Sequence, residues 1–181
     1  EKMKYGFPVF KDLNEAKKSN SEDIFTGIAG VGDNAIRFEI VNEIKLNHPR
    51  FDFINAIHSN AVISSNVSLG KGVAIMAGVV INTGSRIDDH CIINTNSSVD
   101  HDCKLHDFSS LAPGVSLGGN IELGKFSSVG IGANIFHKVK IGENTIIGGG
   151  SLVNKNVGNN ICGYGVPFKQ AKKHIFGEKY L

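Results

Sequence analysis

Among the seven histidines and three cysteines of this 181-residue chain, His101 stands out because Asp102 follows it directly. An imidazole beside a carboxylate is a compact device for taking up a proton near neutral pH. Eighteen residues further on comes Gly119, and another eighteen bring His137. Gly119 exposes a backbone N–H with no side chain to shield it, the kind of donor that holds charge developing on a carbonyl oxygen. If a spacing of eighteen stacks these residues, a base and an oxyanion donor lie side by side, and the chemistry they suit is acyl transfer. Position alone also allows plainer readings. His101 and His137 are equally solvated surface residues, and Asp102 equally a carboxylate that satisfies its own turn.

The spacing is a property of the chain. From Ile57 to Val153 every sixth residue is a branched aliphatic, including Ile63, Leu69, Ile75, Ile87, Val99, Leu111, Leu123, Ile135 and Ile147. The fifth position of each hexad is small or modest, as in Ala61, Val73, Ser85, Cys91, Cys103 and Val157. Two inward positions per six residues imply one short strand and one corner. The fourth position supplies the corner, because thirteen of its seventeen residues are Gly, Asn or Asp, which best tolerate positive φ. Three such sides close a triangular coil of eighteen residues. The repeats therefore predict a mainly β protein, a parallel β-helix of between five and six coils, roughly 27 Å tall at about 4.8 Å per coil.

Residues eighteen apart form columns at the corners. Lys71, Asp89, Asp107, Lys125 and Glu143 make one corner charged at every level, so it faces water. The columns Ser65, Thr83, His101, Gly119, His137, Lys155 and Ser59, Ala77, Thr95, Pro113, Ile131, Gly149 carry almost no charge. Two uncharged corners suit an interface or a ligand groove, and a closed symmetric oligomer is expected. Phe108 and Phe126 replace the usual corner residue one coil apart, with His90 one coil below. They are read either as a stacked ladder or as a shelf for a ligand. As a corner residue, Gly119 is expected to accept Ala or Ser on structural grounds.

A net charge of +2 gives no support to nucleic-acid binding, and 41% hydrophobic content is ordinary for a soluble protein. No apolar run approaches a membrane span, and Glu1 to Lys4 is no signal peptide. Cys91 and Cys103 lie on different sides of the triangle, so with Cys162 they suggest free thiols in a reducing cytoplasm.

Residues 1–54 have a different pattern and read as a partial α/β, Rossmann-like segment. The β-helix follows over 55–160 and a tail over 161–181. Asp12 and Glu15 have capping-box spacing for a short helix through Lys17, and Asp23 to Ala29 reads as a strand. A second helix follows Gly30 to Asn34, with Ile36, Ile40 and Ile44 as its apolar positions. Glycines ahead of a helix N-terminus suit phosphate, so Gly32, Asp33 and Asn34 are candidates for substrate binding, with a tight turn as the plainer reading. Because the chain opens at Glu1 without methionine, this segment is read as a remnant without its first strand, phosphate-type loop and second strand.

The hexads resemble the left-handed β-helix acyltransferases of the hexapeptide-repeat superfamily. The run Asn94 to Cys103, with Gly6-Phe7-Pro8-Val9, Ile57-His58, Ile147-Gly148-Gly149-Gly150 and Gly165-Val166-Pro167 before Lys169, resembles one branch. That branch holds bacterial N-acetyltransferases of nucleotide-linked 4-amino sugars and the related sialic acid O-acetyltransferases. The resemblance implies a left-handed helix, a cytoplasmic homotrimer and acetyl-CoA as acyl donor without a metal. It implies His101 as general base, Asp102 as the acid that raises its basicity, and Gly119 as oxyanion donor. It implies that Ile131 and Gly149 line the path of acetyl-CoA; by their charge, Lys169, Lys172 and Lys173 are read either as partners of its phosphates or as a solvated basic tail. Ser110 stands where close relatives carry a second histidine that contacts the cofactor, and the relatives' glycine-histidine-glycine loop has no match here.

Two rival classes share the fold. A metal-dependent lyase of the carbonic anhydrase type would use His101 and His106, but the expected third ligand falls at Ser65. His101 and His137, about 10 Å apart over two coils, are too far apart to share one ion within a subunit. A non-catalytic scaffold is the other alternative.

Overall fold

The computed structural model describes residues 2–19 and 26–180. The hexads form a triangular prism of two-residue strands. Its faces are parallel sheets built from every third strand, for example Ser68–Leu69 beside Arg86–Ile87, Ala74–Ile75 beside Ile92–Ile93, and Val80–Ile81 beside Ser98–Val99. Each register is offset by eighteen residues, so the columns read from the sequence are vertical stacks.

The first and fifth hexad positions fill the interior. Ile75, Ile87, Val99, Leu105, Leu111, Leu123 and Val129 are buried, as are Val73, Cys91 and Cys103. Inward hydroxyls are satisfied along the axis. Ser85 Oγ donates to the Asp100 carbonyl at 2.7 Å and accepts from the Cys103 N–H at 3.1 Å, and Ser127 does the same with Gly142 and Thr145. The fourth-position residues from Gly72 to Gly150 all have positive φ, between 50° and 72°. At His90, Phe108 and Phe126 that conformation costs on the order of 1 kcal/mol each, so something must reward the ring.

The reward is docking of the N-terminal segment. Helix α1 (Leu13–Ser19) starts at Asp12, whose Oδ1 accepts from the Glu15 N–H, while the Glu15 carboxylate reaches back to the Lys11 N–H. A short parallel pair, Thr26–Gly27 with Asp52–Phe53, flanks helix α2 (Asn34–Asn47). Residues 23–25 of the expected strand lie outside the described residues. Phe38 of α2 sits edge-on against Phe108 and Phe126 at 5.3 and 5.2 Å, and Phe53 meets His90 at 4.8 Å. His90, Phe108 and Phe126 themselves stack at 4.8 and 5.6 Å. The ladder is therefore a packing platform, and the ligand-shelf reading is corrected.

The face of α2 is also corrected. Val41 is fully buried and Asn34, Ala35 and Arg37 are buried, whereas Ile36 is 43% exposed. Ile40 and Ile44 are only half-buried against the small core. The isoleucine spacing pointed to a stripe rotated from the true one because the helix docks through Arg37 and Asn34, two polar residues that hydrophobic periodicity ignores. The tail begins as strand Ile161–Tyr164, which joins the sheet of Ile146–Ile147 and pairs with Lys169–Lys173.

Candidate active site

His101 stands on an exposed corner, and the residues around it fix its ring. Its Nδ1 lies 2.8 Å from Asp102 Oδ2. A carboxylate only accepts, so Nδ1 carries the proton and Nε2 presents a lone pair. The hydrogen bond that Asp102 accepts from Nδ1 raises the imidazole pKa above its ordinary value, with the charges of Asp100 and Asp102 adding to it. Asp102 also occupies the left-handed corner at φ 57°, as the turn reading expects, while its carboxylate reaches the imidazole.

The ring leans over Gly119. A Cβ added there would fall 2.5 Å from His101 Nε2 and 2.6 Å from Cε1, closer than real contacts allow. A methyl group at Gly119 is therefore accommodated only if the exposed imidazole swings aside, which costs the fold little and displaces Nε2.

The Gly119 N–H follows from the same logic. At two third positions the preceding side chain caps the amide, Asn94 Oδ1 for Thr95 N–H and Asp100 Oδ1 for His101 N–H, both at 2.8 Å. Gly118 has no side chain, and among the described residues the Gly119 N–H donates no hydrogen bond. Gly118 is itself obligatory, since a Cβ there would meet the His137 backbone nitrogen at 2.8 Å. A lone-pair nitrogen thus lies over a glycine whose N–H donates no hydrogen bond, an arrangement that acyl transfer can use.

Ile131, 63% exposed, and Gly149 stack on the neighbouring corner, where a Gly149 Cβ would touch Ile131 Cγ2 at 3.0 Å. Both lie across one face from the His101 column. Ser110 is not brought to this corner: it is buried on another face, its hydroxyl donating to Ser128 Oγ at 3.1 Å. Lys169 is exposed on its strand, whereas Lys172 is paired with Glu178. Asp33 caps α2 by accepting from Ala35 and Ile36 N–H, and Asn34 donates to the Phe126 and Ser127 carbonyls. The side chains of both are therefore committed within the chain, while open space surrounds Gly30 and Gly32.

His106 turns to Asp88 at 3.0 Å and Glu122 at 3.3 Å, away from His101. Among the described residues no three of His, Cys, Asp and Glu gather as metal ligands, and no helix is long and apolar enough to cross a membrane. Sequence reasoning missed Asp100, Gly118 and Arg37. For Asp100 the signal was present: an Asx residue one place before a corner, as at Asn94.

No protein-family model matches the chain. Among solved structures it is similar to the perosamine N-acetyltransferase PerB of Caulobacter crescentus, seen with CoA and GDP-perosamine. The two share 38% identity over 82% of this chain and 70% of that one, with a TM-score of 0.79. The chain belongs to the sugar N-acetyltransferases of the left-handed β-helix, hexapeptide-repeat family. A second member, the acetyltransferase domain of PglB from Neisseria gonorrhoeae in complex with acetyl coenzyme A, is 31% identical over 93% of this chain and 81% of its own, with a TM-score of 0.86. WeeI of Acinetobacter baumannii, 23% identical over 94% of this chain and 81% of its own, shares the fold at a TM-score of 0.86. The Caulobacter enzyme was also solved with one histidine replaced by Asn or Ala, again with CoA and GDP-perosamine.

Proposed function

We propose that this acetyltransferase moves the acetyl group of acetyl-CoA to the amine of a nucleotide-linked 4-amino sugar, with His101 as general base. The observation that carries the reading is that the His101 imidazole, Nε2 foremost, fills the space where a side chain at Gly119 would stand. The amine attacks the thioester carbonyl carbon, a C–N bond forms, and the carbonyl oxygen gains negative charge facing the Gly119 N–H. His101 Nε2 takes the amine proton while Asp102 favours the imidazolium. Collapse of the intermediate breaks the C–S bond, and the proton passes to the departing thiolate, giving amide and CoA.

The pantetheine runs past Ile131 and Gly149, and Lys169 lies toward the phosphates. On the acceptor side, the main chain of Gly32, Asp33 and Asn34 serves rather than their side chains. That loop packs at the aromatic corner and His101 stands at a different corner, so one subunit does not unite them. A homotrimer working in the cytoplasm brings the two kinds of corner together.

Thiol release from acetyl-CoA in the presence of GDP-perosamine or a UDP-linked 4-amino sugar tests the reading, with light scattering for the trimer. Turnover with either sugar and a mass near three times 19.4 kDa are expected. A monomer, or acetyl-CoA that remains intact with both sugars, overturns it.

A further inference from the structure

Arg37 is the most completely engaged buried side chain outside the acyl-transfer corner. It is 1% exposed. Its Nε donates to the His90 carbonyl at 2.9 Å, and Nη2 donates to the Phe108 carbonyl at 3.0 Å and to Asn34 Oδ1 at 2.7 Å. Nη1 donates to the carbonyls of Val31 at 2.7 Å and Gly32 at 3.1 Å. Burial lowers its pKa, as expected of a charge surrounded by carbonyl dipoles instead of a carboxylate.

The carbonyls it uses are particular ones. In the left-handed corner the N–H of each fourth-position residue bonds to the coil below, as from His90 to Lys71, Phe108 to Asp89 and Phe126 to Asp107. The coil above bonds to the third-position carbonyl, so the carbonyls of His90, Phe108 and Phe126 are left for other donors. Arg37 takes the first two and Asn34 Nδ2 takes the third at 3.1 Å. Three successive coils, about 4.8 Å apart, are thus read by two adjacent residues on one turn of α2. The planar guanidinium fork can span two coils while its other edge holds Val31 and Gly32, which an ammonium cannot do.

We propose that Arg37 is a positioning residue for acceptor binding: by tying the Val31–Gly32 carbonyls to the His90 and Phe108 carbonyls, it fixes the height of the acceptor loop against the coils. This rests on the function proposed above. It assigns Arg37 no contact with acetyl-CoA, whose path lies on other corners.

The test compares wild type, Arg37→Lys and Arg37→Met in steady-state kinetics, with GDP-perosamine or the UDP-linked 4-amino sugar as acceptor, whichever wild type uses at lower KM. Arg37→Met raises the acceptor KM about tenfold or more, while the acetyl-CoA KM and kcat at saturating acceptor stay within about twofold. Arg37→Lys, which keeps the charge but loses the fork, falls between. Amide hydrogen exchange at residues 31–34 speeds up in both variants, and exchange in the coils around His101 does not. An unchanged acceptor KM, or parallel rises in both KM values, overturns the inference alone. If wild type acetylates neither sugar, the underlying function fails first, and the two failures are told apart by which protein shows them.

Discussion

His90 and His101 occupy two corners of the same prism, yet their rings have opposite electrostatics. His101 has Asp102 on Nδ1 and Gly119 one coil above, so its ring is exposed and its pKa is raised. His90 has Phe108 one coil above and Phe53 across it, so its ring is buried and its pKa is pushed down to about 4. The backbone path is nearly the same at both corners. What differs is the place within the corner, His90 at the left-handed fourth position and His101 at the third, and the residue eighteen places later: glycine leaves a gap that a substrate can enter, and phenylalanine builds a platform that a helix covers. In a solenoid, function at a corner is written in its vertical neighbours.

The largest break in this comparison comes from removing the base. His101→Ala is expected to lower acetyl transfer by roughly a hundredfold or more with the melting temperature unchanged, because the ring is exposed and packs nothing in the core. Thiol release and thermal unfolding measured together check it. Gly119→Ala comes next. Its methyl group displaces the imidazole from Nε2 alignment, and a loss of about tenfold to a hundredfold follows from a misplaced base. Gly119→Val lowers transfer further than Gly119→Ala, toward the level of His101→Ala, since its branches also cover the N–H. Both variants are expected to melt like wild type, because a swinging exposed side chain relieves the clash. Wild-type turnover in folded Gly119→Ala would move the active site elsewhere.

The prism was legible because its period is enforced at every coil: inward Leu105 and Cys103 and left-handed Asn96 each repeat a constraint stated many times. The His101, Asp102 and Gly119 stack was legible for the same reason, since an offset of eighteen is arithmetic. The N-terminal segment has no repeat to average over. There, one amphipathic pattern misplaced the face of α2, because Arg37 and Asn34 dock through carbonyls that only the folded corner exposes. Asp100 was hidden differently, its role being local to a two-residue turn.

The closed corner yields the third expectation, which concerns stability. His90 remains neutral down to about pH 4 because burial disfavours the imidazolium, and the Lys45 and Arg37 charges add to that while Asp89 and Asp107 oppose it. In the unfolded chain the same group titrates near 6.5. Between those values the unfolded state binds a proton that the folded state refuses, so stability falls as pH drops from about 6.5 to 4, by on the order of 3 kcal/mol. His90→Phe extends the ladder of Phe108 and Phe126 and removes this dependence. Denaturant midpoints at pH 7 and pH 4.5 should converge in the variant relative to wild type. An equal acid loss in both would place the lability elsewhere.

The smallest effect sharpens the open corner. Asp100 accepts the His101 N–H and Asn82 Nδ2, bonds that lower its own pKa, with Asn82 the larger cause. Its charge faces the imidazole without touching it, whereas Asp102 holds Nδ1 directly. Both carboxylates raise the His101 pKa, the Asp102 hydrogen bond most. Removing either charge moves the rising limb of kcat/KM, which reports deprotonation of the base, to lower pH. Because Asp100 is exposed and screened, Asp100→Asn is expected to shift that limb less than Asp102→Asn does. Asp100→Asn also keeps an acceptor for the His101 N–H, so turnover on the plateau above the rising limb stays within about twofold. Asp100→Ala loses that acceptor and should turn over more slowly than Asp100→Asn at the same pH. A pH profile in which Asp100→Asn shifts the limb as far as Asp102→Asn would mean that His101 is governed by the summed field of the corner rather than by its hydrogen bond.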